Sequence, residues 1–137
     1  WGQRAYKNTP GLEQLLRDIP GISIYGEVYG KGVQELEYGM KEPHFVGFDI
    51  WKQDSGWTNQ AEALMLFSEY AIPCVPILYN WVYSGPEHLI NLLENFQQSL
   101  LALRNGVSQL SEGLVVQSLE TRKILKLVSN YYLEKVT

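Results

Sequence analysis

The sequence is poor in the residues that mark secreted, membrane-spanning and zinc-binding proteins. It contains one cysteine and two histidines, so an internal disulfide is impossible and no set of zinc ligands stands at a recognised spacing. No apolar run reaches the roughly 20 residues that a membrane-spanning helix needs, and no signal-peptide pattern opens the chain. These absences predict a cytoplasmic protein. Cys74 lies in the apolar segment Ile-Pro-Cys-Val-Pro and is interpreted as a buried, inert thiol.

An excess of basic charge is also lacking. The formal net charge is −4, which argues mildly against a nucleic-acid-binding protein, although a local basic groove can lie on an acidic body. Hydrophobic residues make up 45% and charged residues 19% of the chain, as in ordinary globular proteins, and this excludes a disordered tail. The length suits one domain over residues 1–137. The first residue is Trp1 and not methionine, so we expect a fragment of a longer protein.

The hydrophobic period and the turn residues predict alternating helices and strands. Strands are predicted at 22–29, 44–52, 75–82, 112–119 and 123–129. A hairpin turn is predicted to bring Trp57 back beside the strand 44–52. Helices are predicted at 11–19, from Asn59 to Tyr70, and from 86 to about 104. Helices interleaved with strands of mixed pattern predict an α+β fold with a largely antiparallel sheet.

Two of these helices carry a capping box and an apolar stripe. The capping boxes are Asn59 with Glu62 and Ser84 with Glu87, with Pro86 in the first turn of the second helix. The stripes predicted to face a core are Ala61, Leu64, Met65 and Tyr70 in one helix, and Leu89, Leu92, Leu93, Phe96, Leu100 and Leu103 in the other. The tyrosines and tryptophans could stack on bases, but packing in a core or an interface is their commoner use.

Four charged residues interrupt segments that otherwise read as strands. They are Glu27, Asp49, Glu112 and Lys126, and each stands beside glycine, an aromatic residue or apolar neighbours. A single charge of this kind usually lies on a wetted strand face. Because burying such a charge is costly unless it is paired or binds a ligand, four of them together favour a shared polar cleft.

Five short segments occur in the order and rough spacing of a known motif set. Residues 25–30 read Tyr-Gly-Glu-Val-Tyr-Gly, 48–50 read Phe-Asp-Ile, and 75–79 read Val-Pro-Ile-Leu-Tyr. Residues 112–116 read Glu-Gly-Leu-Val-Val, and 125–129 read Leu-Lys-Leu-Val-Ser. Together they resemble the covalent nucleotidyltransferase superfamily of ATP-dependent ligases and capping enzymes, and within it the RNA ligase family.

The resemblance implies a nucleotidyltransferase (ATP-grasp-like) ligase core, incomplete at its N-terminus, that uses ATP with Mg²⁺ or Mn²⁺. Glu27 would accept a hydrogen bond from the ribose, and Phe48 would stack on the purine, with Phe45 as the alternative. Glu112 would hold the metal ion near the phosphates, and Lys126 would face the α-phosphate. The resemblance therefore assigns nucleotide binding to Glu27, Phe48 and Lys126, and catalysis to Glu112 and Lys126.

The sequence departs from the family pattern in two places. The reactive lysine of the family stands in a Lys-x-x-Gly motif far upstream of the third motif, but here Glu27 lies too close to the start of the chain and Lys7 has the wrong spacing. Val128 occupies the place of a second lysine in the fifth motif. Asp49 lies within the motifs but is interpreted as a structural residue ahead of a direct ligand.

Three functional interpretations follow from the resemblance. In the first, the intact parent is an ATP-dependent RNA ligase for RNA repair, which joins 5′-phosphate and 3′-hydroxyl RNA ends through lysyl-AMP, and the fragment alone is inactive. In the second, the parent is a capping-type guanylyltransferase. In the third, the chain is a catalytically dead nucleotide- or RNA-binding module. ATP and RNA ends are the expected partners, a membrane is not, and the oligomeric state is left open.

Overall fold

The computed structural model describes residues 2–33, 37–78, 80–130 and 133–134. The chain divides into two compact units, Trp1–Val75 and Pro76–Thr137. Both units combine helices with antiparallel strands.

The first unit is a three-stranded antiparallel sheet with three helices. Its elements are α1 (Gly2–Lys7), α2 (Gly11–Asp18), β1 (Ile22–Tyr29), β2 (His44–Lys52), β3 (Gly56–Trp57) and α3 (Gln60–Glu69). The strand order is β1-β2-β3. The predicted strands 22–29 and 44–52 and the hairpin return at Trp57 are confirmed, and so is the helix that starts at Gly11.

The hydrophobic core of this unit brings together residues of α2, the sheet and α3. Its buried members are Leu12, Leu15, Ile22, Ile50, Ala63, Leu66, Phe67 and Ile72. The core leaves several side chains of β1, β2 and β3 exposed to solvent, and the candidate site is built from these.

The face of α3 that enters this core differs from the predicted one. Asn59 accepts a hydrogen bond from the backbone N–H of Glu62 (2.8 Å), as expected for an N-cap residue. Ala63, Leu66 and Phe67 are buried. The predicted stripe is therefore only partly correct, because Met65 is 53% exposed and Ala61 is also exposed, whereas Tyr70 packs against the core.

The second unit contains two helices and a β-hairpin. Its elements are α4 (Pro86–Asn95), α5 (Leu100–Arg104), β4 (Gly113–Gln117) and β5 (Ile124–Val128). The two strands pair antiparallel, which confirms the hairpin predicted around residues 120–122. The described residues of this unit that are buried are Leu89, Leu92, Ser99 and Ala102.

The single long helix predicted to reach residue 104 is broken into α4 and α5. Ser99 caps α5 by accepting a hydrogen bond from the N–H of Ala102 (3.1 Å), and its own N–H donates to the carbonyl of Gln109 (2.8 Å). This pairing of residues 97–99 with 109–111 takes the backbone out of the helix. Leu100 and Leu103, predicted to face a core, are 41% and 49% exposed.

The predicted start of α4 is only partly correct. Gly85 is the N-cap of α4 and no side chain caps the helix, so the Ser84 capping box is wrong. Ser84 Oγ lies 3.2 Å from Nδ1 of His88 instead. Pro86 does occupy the first turn of the helix, as predicted.

The strand predicted at residues 75–82 does not form in the part that the structure describes, which excludes Tyr79. Backbone pairing is limited to one bridge between Gly47 and Cys74. Pro73 and Pro76 flank this bridge and have no N–H to donate, so the ladder cannot extend through them.

Candidate functional site

Phe48 lies at an irregularity in the pairing of the two long strands. Tyr25 pairs with Asp49, but the next residue of β1, Gly26, pairs with Gly47. Phe48 is therefore the extra residue of a β-bulge. Bulges interrupt the alternation of a strand and redirect a side chain, and they are frequent beside active sites. The Phe48 side chain is 51% exposed.

Close packing around Gly47 holds this bulge in place. A Cβ atom on Gly47 would lie 2.6 Å from the ring of Phe67, so any other residue would push the strand away from the core. On the side of β2 away from β1, the Gly47 N–H donates to the carbonyl of Pro73 (2.7 Å), and the Gly47 carbonyl accepts from the N–H of Val75 (2.9 Å). Gly47 is thus fixed by the ring of Phe67 and by these two hydrogen bonds.

Glu27 lies on the strand next to this bulge. It pairs with Val46, and its side chain is exposed. Within the described residues, the Glu27 carboxylate makes no hydrogen bond and no ion pair. An ionised carboxylate in this setting can accept hydrogen bonds from a ligand hydroxyl. Glu27 and Phe48 thus lie on neighbouring strands, which are about 4.8 Å apart in a sheet.

Two other predicted residues of this unit have internal partners. The Asp49 carboxylate accepts a hydrogen bond from the backbone N–H of Ile50 (3.0 Å), which is consistent with the structural role predicted for it. Phe45 packs against the hydrophobic core, and its ring occupies the space above Gly26 where a Cβ would lie. Of the two candidate phenylalanines, Phe48 is therefore the one available for stacking.

An apolar recess of about 250 Å³ also occurs in this unit. It is lined by residues of α1, α2 and the sheet, among them Ala5, Leu16, Ile24 and Phe45. No charged side chain lines it, and neither Glu27 nor Phe48 does, so the recess is separate from the candidate site.

The other two predicted site residues belong to the hairpin of the second unit. Lys126 lies opposite Val115; it is exposed and forms no ion pair with a described residue. Glu112 is half-buried directly before β4, and its backbone carbonyl accepts from the N–H of Ser129 (2.8 Å). A Cβ on Gly113 would overlap the carbonyl oxygen of Leu127, so a glycine must follow Glu112 for the strands to pair.

A pair of exposed aromatic rings lies outside the sequence prediction. The ring centroids of Tyr25 and Trp57 lie 4.9 Å apart, with the planes tilted by 50°. The two side chains are 43% and 45% exposed, whereas the sequence favours packing in a core or an interface for such residues. The position of Tyr25 two residues before Glu27 is a signal that could have indicated this surface, because such residues share a strand face.

Each unit carries two of the four interrupting charges, with Glu27 and Asp49 in the first and Glu112 and Lys126 in the second. Within the described ranges, no three histidine, cysteine, aspartate or glutamate side chains cluster as a ready-made metal site. A carboxylate such as Glu112 nevertheless suits Mg²⁺ or Mn²⁺, since these ions are often held by one or two carboxylates together with substrate phosphates. No helix among the described residues is long and apolar enough to span a bilayer.

Comparison with known proteins identifies the family. The model of the family described as RNA ligase matches residues 1–128. The chain belongs to the RNA ligase family. A search of curated protein sequences found no match.

Solved structures of the Naegleria gruberi RNA ligase share the fold. A lysine-to-methionine variant with AMP and Mn superposes with a TM-score of 0.74 at 24% identity. A glutamate-to-alanine variant with ATP and Mn gives 0.71 at 24% identity, and a lysine-to-alanine variant without ligand gives 0.71 at 25%. Each alignment covers 96% of this chain and 39% of the ligase. The resemblance to the RNA ligase family and the α+β fold are both confirmed, and the chain spans about two fifths of the length of these relatives.

Proposed function

We propose that this chain supplies the nucleotide-binding part of an ATP-dependent RNA ligase. Its intact parent would join 5′-phosphate and 3′-hydroxyl RNA ends through a lysyl-AMP intermediate. Membership of the RNA ligase family supports the reaction class. The AMP, ATP and Mn in the Naegleria gruberi structures support a nucleotide and a divalent cation as ligands. RNA repair in the cytoplasm is the setting that we propose for the parent.

The spacing of Glu27, Glu112 and Lys126 is the main support for this proposal. The Naegleria gruberi structures include single alanine substitutions of two glutamates and of a lysine that follows them. The interval between those two glutamates equals the interval between Glu27 and Glu112. The interval from the second glutamate to that lysine equals the interval from Glu112 to Lys126. The residue types also agree in order, which supports a functional role for each of the three residues.

Each of these side chains, and Phe48 as well, has a physical task in the proposed function. The exposed Glu27 carboxylate accepts a hydrogen bond from the ribose, and the Phe48 ring stacks on the adenine. Lys126 contacts the α-phosphate and stabilises the negative charge that develops during transfer. Glu112 would hold the divalent cation, which would offset the charge of the phosphates.

The nucleophile of the first step is not assigned to this chain. Two of the Naegleria gruberi structures replace a lysine that lies well before the first of the two glutamates. None of the lysines in the present sequence begins a Lys-x-x-Gly motif. We therefore place the reacting lysine in the intact parent and expect no lysyl-AMP on this chain alone.

A catalytically dead binding module is the second candidate. Val128 in place of a second lysine favours it, because less positive charge then faces the phosphates. Such a module would bind nucleotide or RNA in the parent without forming a covalent adduct.

Calorimetric titration of ATP with MnCl₂ tests the binding part of the proposal. We expect the 137-residue chain to bind ATP more tightly than GTP. Glu27→Ala should weaken ATP binding by about tenfold or more, since hydrogen bonds to charged groups contribute roughly 1.5–3 kcal/mol. Glu94→Ala, a change of an exposed glutamate on α4, should leave the affinity unchanged. Equal affinities for the Glu27→Ala variant and the unmodified chain would overturn the assignment, and a preference for GTP would indicate a guanylyltransferase.

Intact-mass spectrometry after incubation with ATP and Mg²⁺ tests the covalent step. The parent ligase should gain the mass of one AMP, stable to denaturation, and the chain described here should gain none. An adduct on this chain would place the nucleophile within its own residues. The absence of an adduct on the parent would favour the dead module.

A further inference from the structure

The exposed ring pair of Tyr25 and Trp57 is unlike the aromatic side chains of the first unit that are buried. Phe67 is 1% and Tyr29 is 3% exposed, whereas Tyr25 and Trp57 are 43% and 45% exposed. The two rings touch each other across β2, since Tyr25 is on β1 and Trp57 is on β3. Neither residue belongs to the hydrophobic core or packs against it. The pair therefore presents an apolar aromatic surface to solvent.

This surface continues the candidate nucleotide site. Tyr25 and Glu27 project from the same face of β1, because side chains alternate along a strand. Tyr25 also pairs with Asp49, the residue that follows Phe48 in the bulge. The ring pair thus lies directly beside the carboxylate and the phenylalanine that we assign to ATP.

The charged residues around the ring pair determine which chemical groups of a ligand can bind there. Glu27 and Asp49 are its charged neighbours on these strands. Lys52 is the only lysine or arginine in β1, β2 and β3, and its ammonium group is paired with the Glu62 carboxylate at 3.3 Å. Such a surface does not attract phosphate groups. It suits the uncharged part of a nucleotide, whose base stacks on aromatic rings whatever its identity.

We infer that Tyr25 and Trp57 form a second stacking platform, which binds a base of the RNA strand beside the ATP site. The inference rests on the proposed function, because it takes Phe48 and Glu27 as the contacts of ATP. A ligase must hold an RNA end next to the activated nucleotide, and this platform would hold that end through a base while leaving its phosphates to basic groups elsewhere.

Fluorescence anisotropy with a labelled single-stranded hexaribonucleotide tests the inference on the 137-residue chain. We expect Tyr25→Leu and Trp57→Leu each to weaken RNA binding by about 5- to 150-fold, the range for loss of one base–aromatic stack. Tyr25→Phe and Trp57→Phe keep a ring and should retain most of the affinity. Tyr83→Leu is the matched control, since Tyr83 is 63% exposed and belongs to the other unit. Melting curves of all variants check that the fold is kept.

Two additional measurements separate this inference from the proposed function. A hexanucleotide with abasic sites should bind the unmodified chain more weakly than the intact hexanucleotide does. Trp57→Leu should weaken the binding of this abasic strand little further. ATP affinity should be unchanged in Tyr25→Leu and Trp57→Leu, yet fall in Glu27→Ala. If ATP binding is absent while the RNA results are as expected, the proposed ATP site fails and the platform stands. The inference is overturned if the chain binds no RNA, if the leucine variants bind RNA normally, or if they lose ATP binding instead.

Discussion

Two phenylalanines close to Gly47 have opposite environments. Phe67 is 1% exposed and its ring lies against the Gly47 backbone, whereas Phe48 is 51% exposed at the bulge. A buried ring contributes to stability, while an exposed ring on a bulge is available to a ligand. Local composition presents both as apolar residues in apolar segments, and before the fold is known only the motif resemblance singles out Phe48.

Alanine substitutions should separate these two roles. Phe67→Ala is expected to lower the free energy of unfolding by about 3–5 kcal/mol. Phe48→Ala should change stability little and weaken ATP binding by about 5- to 150-fold, because it removes one stacking contact. Thermal melting and calorimetric titration measure the two effects. A large loss of stability in Phe48→Ala would show that its ring packs in the protein and does not stack on the nucleotide.

Tyr70 connects the end of α3 to the end of α2. Its hydroxyl donates a hydrogen bond to the Asp18 carboxylate (2.8 Å). This hydrogen bond is the main cause that raises the pKa of Tyr70 above its ordinary value of 10.0; desolvation and the charges of Asp18 and Glu69 add to it. A raised pKa in the folded state means that folding favours the protonated phenol.

The stabilisation from Tyr70 should therefore depend on pH. It is fully present below the pKa of tyrosine in the unfolded chain, near 10, and is lost as the pH rises through the higher pKa of the folded state. We expect the difference in melting temperature between the unmodified chain and Tyr70→Phe to be constant between pH 7 and 9 and to shrink above pH 10. A difference that does not change up to pH 11 would contradict the hydrogen bond to Asp18.

At the scale of elements, the two predicted capping boxes have different outcomes. Asn59 and Ser84 both stand three residues before a glutamate at the predicted start of a helix. Asn59 caps α3, but α4 starts one residue later than the pattern requires, with Gly85 as its N-cap in a positive-φ conformation (125°). The local sequence indicates that a helix begins but does not determine which residue takes the capping position.

The matched pair Asn59→Ala and Ser84→Ala tests this difference. Loss of a capping side chain costs about 0.5–2 kcal/mol, so Asn59→Ala should lower the melting temperature by several degrees. Ser84→Ala should have almost no effect, because its hydroxyl contacts His88 at the exposed start of α4. Equal destabilisation by the two changes would mean that Ser84 does cap the helix.

The hairpin β4–β5 depends on a glycine after Glu112. Because a Cβ on Gly113 would overlap the Leu127 carbonyl oxygen, Gly113→Ala must separate the strands that carry Lys126. We expect a loss of at least about 1–3 kcal/mol and faster amide exchange in both strands. Gly2→Ala is the control, since a Cβ there meets no atom within 4 Å. Unchanged exchange in Gly113→Ala would show that the strands tolerate the wider spacing.

At the scale of the whole molecule, the chain consists of two units with separate buried residues. All members of the main hydrophobic core lie between Leu12 and Ile72, inside the first unit. The sheet with Glu27, Phe48 and the Tyr25–Trp57 platform belongs to this unit as well. The second unit buries Leu89, Leu92 and Ala102 and carries Glu112 and Lys126.

Residues 1–75 should therefore fold when expressed alone. Their core and all three strands of their sheet are internal to the segment. We expect a cooperative thermal transition and slow amide exchange in β1 and β2. A broad, non-cooperative transition would show that the first unit needs the second for its stability.

The sequence by itself determined the two long strands, the α+β class and the family motifs. The bounds 22–29 and 44–52 are predicted from alternation, β-branched residues and flanking Gly and Pro residues, which are local signals, and they agree with the final pairing. The order and spacing of the motifs are also properties of the sequence alone, and they suffice to indicate the RNA ligase family before the fold is known.

The tertiary structure alone decided the direction of side chains and the ends of several elements. Residues 61, 64 and 65 have the same helical spacing as 63, 66 and 67, and only packing against the sheet buries the second set. The break before Ser99 depends on pairing with residues 109–111, and the bulge that exposes Phe48 depends on Gly47 meeting Phe67 and the chain at 73–75. These contacts join residues distant in sequence, and their free energy outweighs the small local preferences that a sequence pattern records.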